Sequence, residues 1–320
     1  FIELGSTHPH HVSASMNDTI LETPPDTTST CREINWPLKH IGLAGLHWPA
    51  ATASDTRPVL MIHGWLDNAL SFARLAPAVA GNRDVYSLDM AGHGHSGHRP
   101  EGQGYQLMDY VADLAELVET HFKNSPGGQV DLVGHSLGGI VSVLYAAAFP
   151  ERVHRLVMID SIGPISRKPD EVIEQMRKSI IKRMTGSGKA VVYPDIELAA
   201  KAREGGMIPL SPEAARMLVA RSMKPSGEGF VWQTDPRLRH PSMMMMDEAQ
   251  VSACLKKVVT PTRFLRATQG LLASRPELDS RLDAIANLDV VAVPGGHHCH
   301  LDGDVEPVID AVRGFLDDAE

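Results

Sequence analysis

A glycine-framed serine turn constrains this chain more than any other feature of its sequence. Residues 134–138 read Gly-His-Ser-Leu-Gly, directly after the apolar run Val130–Val133 and before an Ala-rich, helix-like stretch over 139–148. A G-x-S-x-G between a strand and a helix is typical of a nucleophile elbow, a turn with little room for side chains at its glycine positions. We therefore expect Ser136 to adopt a strained backbone conformation that exposes its hydroxyl.

Strand and helix signals alternate on both sides of this turn. We predict an N-terminal hairpin and six further strands, together with helices over 106–122 and 305–317; the strands are placed at 32–37, 40–48, 58–62, 84–88, 130–133, 156–159, 261–267 and 288–293. This alternation predicts an α/β fold, with a mostly parallel eight-stranded sheet and helices on both of its faces.

The segment 164–257 has a different pattern and follows the sixth predicted strand. It contains helix-like stretches over 170–184, 195–204 and 211–223 and no clear buried strand. We therefore expect residues 31–163 and 258–320 to form the core, and 164–257 to form an all-helical cap over the sheet edge where ligands bind. The four methionines Met243–Met246 fit either the packing of a cap helix or an adaptable apolar wall for an acyl chain.

Composition excludes several classes of protein. The net charge of −9, without any block of Lys or Arg, argues against a nucleic-acid partner, and no stretch is long and apolar enough to predict a membrane span. Three widely spaced cysteines, Cys31, Cys254 and Cys299, indicate free thiols and a cytoplasmic location. Nothing in the sequence indicates an oligomeric state.

The first thirty residues are expected to lie outside the fold. Residues 1–15 lack an initial methionine and an apolar signal core, so we interpret them as an expression-vector remnant, with Met16 as the native start. Their histidines, His8, His10 and His11, could alternatively form a metal-binding tract. Residues 17–30 have the composition of a flexible lead-in.

A serine nucleophile needs a base, and the segment after the last predicted strand offers one. His297 comes first after a glycine pair and is our candidate, with His298 as the alternative. The spacing of His297, His298 and His300 could also suggest zinc, but no Asp, Glu or Cys elsewhere pairs obviously with them. We therefore expect neither a metal nor a cofactor.

The acid that orients the base can be placed at two positions. The loop after the 261–267 strand has no acid where one is wanted, since Glu277 and Asp279 come late. Asp160 stands at the tip of the 156–159 strand, and we favour it as the acid; it could instead cap the following turn.

Two backbone N–H groups are expected to form the oxyanion hole. One is that of Leu137, directly after the nucleophile. The other is that of Trp65, in the loop His63-Gly64-Trp65-Leu66-Asp67, where Gly64 lets the backbone turn into the site.

These motifs together resemble the α/β-hydrolase superfamily. The resemblance rests on His63-Gly64-Trp65, the loop over 89–96, the elbow and the Gly296-His297-His298 end, and the stretch Trp232–Leu238 looks like that of the serine hydrolase-like proteins, a branch of cap-bearing carboxylesterases. The resemblance implies a triad of Ser136, His297 and an acid. The missing acid after the 261–267 strand is a departure from the family pattern, and similar enzymes sometimes place the acid one strand earlier.

The chemistry that follows is cofactor-independent hydrolysis of a small carboxylic ester through a seryl acyl-enzyme. The same machinery would serve a thioesterase, a lactonase or a carbon–carbon bond hydrolase. A non-catalytic scaffold of the same fold is the alternative from a different functional class, although such proteins typically lose the serine or the histidine, which this chain keeps.

Overall fold

The computed structural model describes residues 31–52 and 55–318. The predictions for residues 1–15, for Met16 and for the lead-in over 17–30 therefore lie outside the described residues.

An eight-stranded sheet forms the centre of the fold. In chain order its strands are β1 (Arg32–Pro37), β2 (Gly42–Trp48), β3 (Val59–Ile62), β4 (Val85–Asp89), β5 (Val130–His135), β6 (Val153–Ile159), β9 (Thr262–Gln269) and β10 (Leu288–Gly296). Their spatial order is β1-β2-β4-β3-β5-β6-β9-β10. Pairing is antiparallel in β1–β2 and β2–β4 and parallel elsewhere, which confirms the predicted sheet.

Helices cover both faces of this sheet. The α-helices are α1 (Ala76–Val79), α2 (Leu107–Leu117), α3 (Leu137–Ala148), α4 (Val172–Thr185), α5 (Ile196–Glu204), α6 (Pro212–Ala220), α7 (Glu248–Leu255) and α8 (Glu306–Asp317). Short 3₁₀ segments lie at Ala69–Phe72, Pro126–Gly128, Pro150–Arg152, Pro169–Glu171, Pro236–Arg239 and Pro276–Ala284, and one π turn lies at Val118–Phe122.

The burial of β3 shows how the sheet is enclosed. All four of its residues are buried, as expected for a parallel strand covered on both faces. Leu60 and Ile62 pack in the cluster that contains α2 and α3 residues, whereas Val59 and Met61 pack in the cluster that contains α1 and α8 residues. Alternate side chains of β3 thus pack into two apolar cores, one on each face of the sheet.

The segment between β6 and β9 is not all-helical, and that part of the prediction is wrong. Besides helices it contains a hairpin of β7 (Met223–Ser226) and β8 (Gly229–Trp232). Gly227 has a φ of 61° in the two-residue turn, a conformation that glycine permits at no steric cost. Because the last three residues of β7 are exposed, the strand carries no apolar run that a sequence pattern could reveal.

The four consecutive methionines also differ from expectation, since they lie in irregular backbone and not on a helix. Met246 packs against the core cluster, whereas Met244 is 66% exposed. Their packing role is therefore divided between core and surface.

The cysteines and the helices each share one property over the whole described part of the chain. Cys31, Cys254 and Cys299 are all free thiols. Among the helices of residues 31–52 and 55–318, none combines the length and the apolar character needed to cross a bilayer.

Candidate active site

The predicted site residues come together at the carboxyl edge of the sheet. Ser136 directly follows β5, Asp160 directly follows β6, and His297 directly follows β10. The loop over 63–68 follows β3, which pairs with β5. Since parallel strands end at the same edge, four loops from distant parts of the sequence converge there.

The elbow has the strained geometry that the sequence predicts. Ser136 has φ 50° and ψ −117° at the start of α3. A Cβ at position 134 would lie 2.5 Å from the carbonyl oxygen of Gly138, and a Cβ at position 138 would lie 1.9 Å from that of Ile62. Both positions therefore require glycine, because the turn folds back on itself and against β3.

Two hydrogen bonds hold the backbone of Ser136 in this conformation. Its N–H donates to the carbonyl of Ile159 at 3.2 Å, and the hydroxyl of Ser161 donates to its carbonyl at 2.8 Å. The end of β6 and the residues after it thus help to fix the elbow.

His297 and Asp160 form a buried pair. Nδ1 of His297 lies 2.6 Å from Oδ2 of Asp160, and the backbone N–H of Leu271 donates to the same oxygen at 2.8 Å. Asp160 itself has a φ of 43°, so its backbone is strained like that of Ser136. Gly270 packs against the carboxylate, because a Cβ there would lie 2.5 Å from its oxygens.

The structure does not place the alternative residues in these positions. Glu277 and Asp279 are exposed on the 3₁₀ segment Pro276–Ala284, and Asp279 pairs with Arg266 at 2.9 Å. His298 pairs with a different carboxylate, since its Nε2 lies 3.0 Å from Oδ2 of Asp67.

His135 links the elbow to the segment that carries His297. Its Nε2 lies 2.9 Å from the carbonyl oxygen of His297, and the two rings are 4.5 Å apart between centroids. Because His135 precedes Ser136 in the chain, this bond ties the two predicted catalytic residues together through the backbone.

The predicted oxyanion donors lie on two of the converging loops. Leu137 is the first residue of α3, so its N–H belongs to the amides that a helix start leaves without an intrahelical partner. Trp65 follows Gly64, whose missing Cβ would otherwise meet Cβ of Ser136 at 3.2 Å. The loop that carries Trp65 therefore packs directly against the elbow.

Sequence reasoning missed the structural role of two buried histidines in this region. Nε2 of His63 accepts from the N–H of Met90 at 3.0 Å, and Nε2 of His93 accepts from the N–H of Leu66 at 3.2 Å. Burial lowers the pKa of His63 to about 4 and the pKa of His93 to about 3, so both rings are neutral at pH 7. Each ring therefore fastens the loop after β3 to the loop after β4; the only sequence signal is a histidine next to a buried strand.

Contacts between the loop after β3 and the 164–257 segment were also invisible in the sequence. The indole Nε1–H of Trp65 donates to the carbonyl of Leu238 at 2.9 Å, and the side-chain amide of Asn68 donates to that of Leu218 at 2.7 Å. Asp67, which lies between these two residues in the sequence, forms an ion pair with Arg203 at 3.0 Å. The loop with the predicted oxyanion donor is thus bonded to this segment at three points.

The described residues contain one group of donor atoms that could hold a metal ion, formed by Asp67, His135 and His298. It differs from the histidine set weighed in the sequence, since Asp67 of the loop after β3 and His135 at the end of β5 stand in place of His297 and His300.

Comparisons with known proteins agree with this architecture. The family model of the α/β-hydrolase fold matches residues 57–304. A serine hydrolase-like protein of Danio rerio is 30% identical over 306 residues, which cover 91% of this chain and 91% of that protein. A probable serine hydrolase of Drosophila melanogaster is 30% identical over 267 residues, or 78% of each chain. The crystal structure of a hypothetical protein from Pseudomonas aeruginosa PAO1 superposes with a TM-score of 0.81 at 37% identity, covering 89% of this chain and 98% of that one.

Proposed function

This chain is a hydrolase of the α/β-hydrolase fold family, in its serine hydrolase-like branch, and from that premise we propose that it cleaves small carboxylic esters through a seryl acyl-enzyme. The observation that carries the proposal is the 2.6 Å contact between His297 and Asp160 at the sheet edge that also presents the strained Ser136. In this proposal His297 is the base, Asp160 is the acid that orients it, and Ser136 is the nucleophile.

The first half of the reaction forms the acyl-enzyme. Nδ1–H of His297 donates to Asp160, which leaves Nε2 as the acceptor for the hydroxyl proton of Ser136. As Oγ of Ser136 bonds to the ester carbonyl carbon, the proton moves to Nε2 and the carbonyl oxygen becomes an oxyanion. The backbone N–H groups of Leu137 and Trp65 stabilise that charge. Collapse of the intermediate breaks the ester C–O bond, and His297 returns the proton to the leaving alcohol.

The second half releases the acid. Water bonds to the acyl carbon while His297 takes its proton, and the second intermediate expels Oγ of Ser136, which receives the proton back. The products are a carboxylic acid and an alcohol, and every proton removed by His297 is returned. The burial of Asp160 supports its role, because a carboxylate shielded from water holds the imidazolium strongly.

The segment 164–257 is proposed to be the cap of this site. The three bonds that join it to the loop over 63–68 support this role, since they place it beside the predicted oxyanion donor. A cap at that position would exclude water and shape the acyl pocket. The free state of all three cysteines supports a reducing compartment such as the cytoplasm.

Hydrolysis of p-nitrophenyl esters of increasing chain length tests the proposal. The parent protein is expected to turn over, Ser136→Ala to lose turnover, and Ser280→Ala, which alters an exposed serine, to match the parent. Activity that survives in Ser136→Ala would exclude Ser136 as the nucleophile. Failure of a fluorophosphonate probe to label the parent, together with no turnover of any ester, would favour a non-catalytic scaffold.

A further inference from the structure

Three buried side-chain atoms that could act as metal ligands lie close together beside the proposed triad. They take no part in the proposed reaction. They belong to Asp67, His135 and His298, each of which offers one atom within 4.8 Å of the other two. Oδ2 of Asp67 lies 3.8 Å from Nδ1 of His135 and 3.0 Å from Nε2 of His298. The three residues come from three separate elements: Asp67 lies in the loop after β3, His135 is the last residue of β5, and His298 lies in the loop after β10.

The hydrogen bond of His135 defines which of its nitrogens is free. Its Nε2 lies 2.9 Å from the carbonyl oxygen of His297, which can only accept, so Nε2 carries the hydrogen. In the neutral ring Nδ1 is then a bare lone pair, and it is buried without a hydrogen-bond partner among the described residues.

That lone pair faces a carboxylate. Nδ1 of His135 lies 3.8 Å from Oδ2 of Asp67, which is fully buried. Two acceptor atoms that face each other away from solvent gain nothing from the contact, and an unpaired buried acceptor costs free energy. Oδ2 of Asp67 already accepts from Nε2 of His298 at 3.0 Å, so the unsatisfied atom is Nδ1 of His135. A cation between Nδ1 and Oδ2 would pair that nitrogen and replace the contact between two acceptors with two attractive ones.

We infer that Asp67, His135 and His298 form a zinc site, in which Zn²⁺ is bound by Oδ2, Nδ1 and Nε2 of these residues. Zinc bonds of about 2.0–2.2 Å place two ligands of a tetrahedral ion roughly 3.3 Å apart. Nε2 of His298 lies 3.0 Å and Nδ1 of His135 lies 3.8 Å from the shared carboxylate oxygen, which brackets that value. Small shifts of the side chains would complete the set, with a fourth position left for water.

The surroundings have the features that support a bound metal. Ligating histidines usually donate their other ring N–H to a carbonyl or carboxylate, and His135 does so to His297. Arg203 binds the other oxygen, Oδ1, of Asp67 at 3.0 Å, so that carboxylate is already oriented. A Cβ at position 64 would lie 2.9 Å from Nδ1 of His135, so glycine keeps this side of the ring open.

Binding would change the hydrogen bonding of His298 in one way. Its Nε2–H donates to Asp67 without metal, and zinc would replace that hydrogen while the ring proton moves to Nδ1. No proton need leave the site. The new Nδ1–H of His298 is buried without an acceptor among the described residues, so the change of tautomer costs free energy that the zinc bonds must exceed. The ion would tie together three loops that carry Trp65, Ser136 and His297, so its role is structural. This proposal departs from our expectation that the chain binds no metal.

Zinc stoichiometry in the chelator-treated full-length protein tests the inference. The background is His8→Gln/His10→Gln/His11→Gln, which removes the other histidine cluster. We expect one Zn²⁺ per chain, a thermal unfolding midpoint raised by about 5 °C at saturating zinc, and a loss of affinity on the order of 100-fold in Asp67→Asn, His135→Gln and His298→Gln. His121→Gln, which alters an exposed histidine, should bind like the background.

Co²⁺ provides a second readout if the variants do not fold. The protein measured is the background variant, which keeps Asp67, His135 and His298. A strong visible absorption band of tetrahedral Co²⁺ that disappears when one equivalent of Zn²⁺ displaces the Co²⁺ would support the site. Absence of stoichiometric zinc, equal binding by the ligand variants, or only a weak octahedral Co²⁺ spectrum would overturn it. None of these measurements depends on esterase activity, so the site and the proposed function can fail separately.

Discussion

Nδ1 of His297 lies 2.6 Å from Oδ2 of Asp160, although the two residues are 137 positions apart in the chain. The carboxylate is held from two further sides, by the N–H of Leu271 and by the close approach of Gly270. We predict that Asp160→Asn lowers kcat for ester hydrolysis by about 10²–10⁴-fold, because the amide would favour the wrong imidazole tautomer. Steady-state kinetics on a p-nitrophenyl ester measures the loss.

The matched control for this prediction is Asp279→Asn. Asp279 is exposed and pairs with Arg266, so its substitution should leave kcat near that of the parent. Near-normal turnover in Asp160→Asn, combined with a large loss in Asp279→Asn, would reverse the assignment of the acid.

Gly138 is predicted to tolerate no side chain. A Cβ there would lie 1.9 Å from the carbonyl oxygen of Ile62, so Gly138→Ala must push α3 away from β3. We expect a loss of roughly 3 kcal/mol or more in the free energy of unfolding, measured by urea titration. Relief of this clash would need backbone movement at the elbow itself.

Gly314→Ala is the control, and we expect it to raise the free energy of unfolding where Gly138→Ala lowers it. Gly314 lies within α8, and a Cβ there would meet nothing within 4 Å. The substitution should stabilise the protein by about 1 kcal/mol, because glycine is a poor helix former. A Gly138→Ala variant as stable as the parent would contradict the geometry of the elbow.

Much of this architecture could be predicted because each pattern had a local cause. The parallel strands β3 and β5 are buried along their whole length and therefore read as largely apolar runs, and the elbow needs glycines at fixed positions around Ser136. The order of Ser136, Asp160 and His297 along the chain, each directly after a strand, was enough to bring them to one edge of the sheet. The position of Asp160 at a strand tip favoured it over the later acids.

The features that could not be predicted depend on contacts between residues far apart in the sequence or on strands without an apolar pattern. The hairpin of β7 and β8 has mostly exposed strand residues on its first strand and so lacks a periodic signal. Neither the bond from Trp65 to Leu238 nor the pairing of Arg203 with Asp67 has a signature in either segment alone. The grouping of Asp67 with His298 likewise needs the loops after β3 and β10 to meet, which only the fold shows.

Arg203 is predicted to fasten the 164–257 segment to the core. It pairs with Asp67, which is 1% exposed, so Arg203→Ala would leave a buried carboxylate with one charged partner fewer. We expect a loss of about 3 kcal/mol in the free energy of unfolding. Lys201→Ala, on the same helix, removes an exposed pair with Glu204 and should change that free energy by less than about 0.5 kcal/mol. Equal effects of the two substitutions would argue against a fastening role for Arg203.

Acid sensitivity follows from the buried histidines. Burial lowers the pKa of His63 to about 4 and that of His93 to about 3, whereas an unfolded histidine titrates near 6.5. Burial also holds the pKa of His135 and of His300 well below the usual range. Below pH 6.5 the unfolded chain therefore binds more protons than the folded chain, and stability must fall as the pH falls.

The expected slope makes this prediction quantitative. Each histidine that is protonated only on unfolding contributes about 1.4 kcal/mol per pH unit between its folded and unfolded pKa values. Urea titrations at pH 7, 6 and 5 should therefore show the free energy of unfolding dropping by at least that amount from pH 6 to pH 5, and dropping further toward pH 4. For His63 the loss should be complete near pH 4, and for His93 near pH 3. A stability that stays level from pH 7 to pH 5 would mean that these rings accept protons inside the fold, which the bonds from Met90 and Leu66 to their Nε2 atoms oppose.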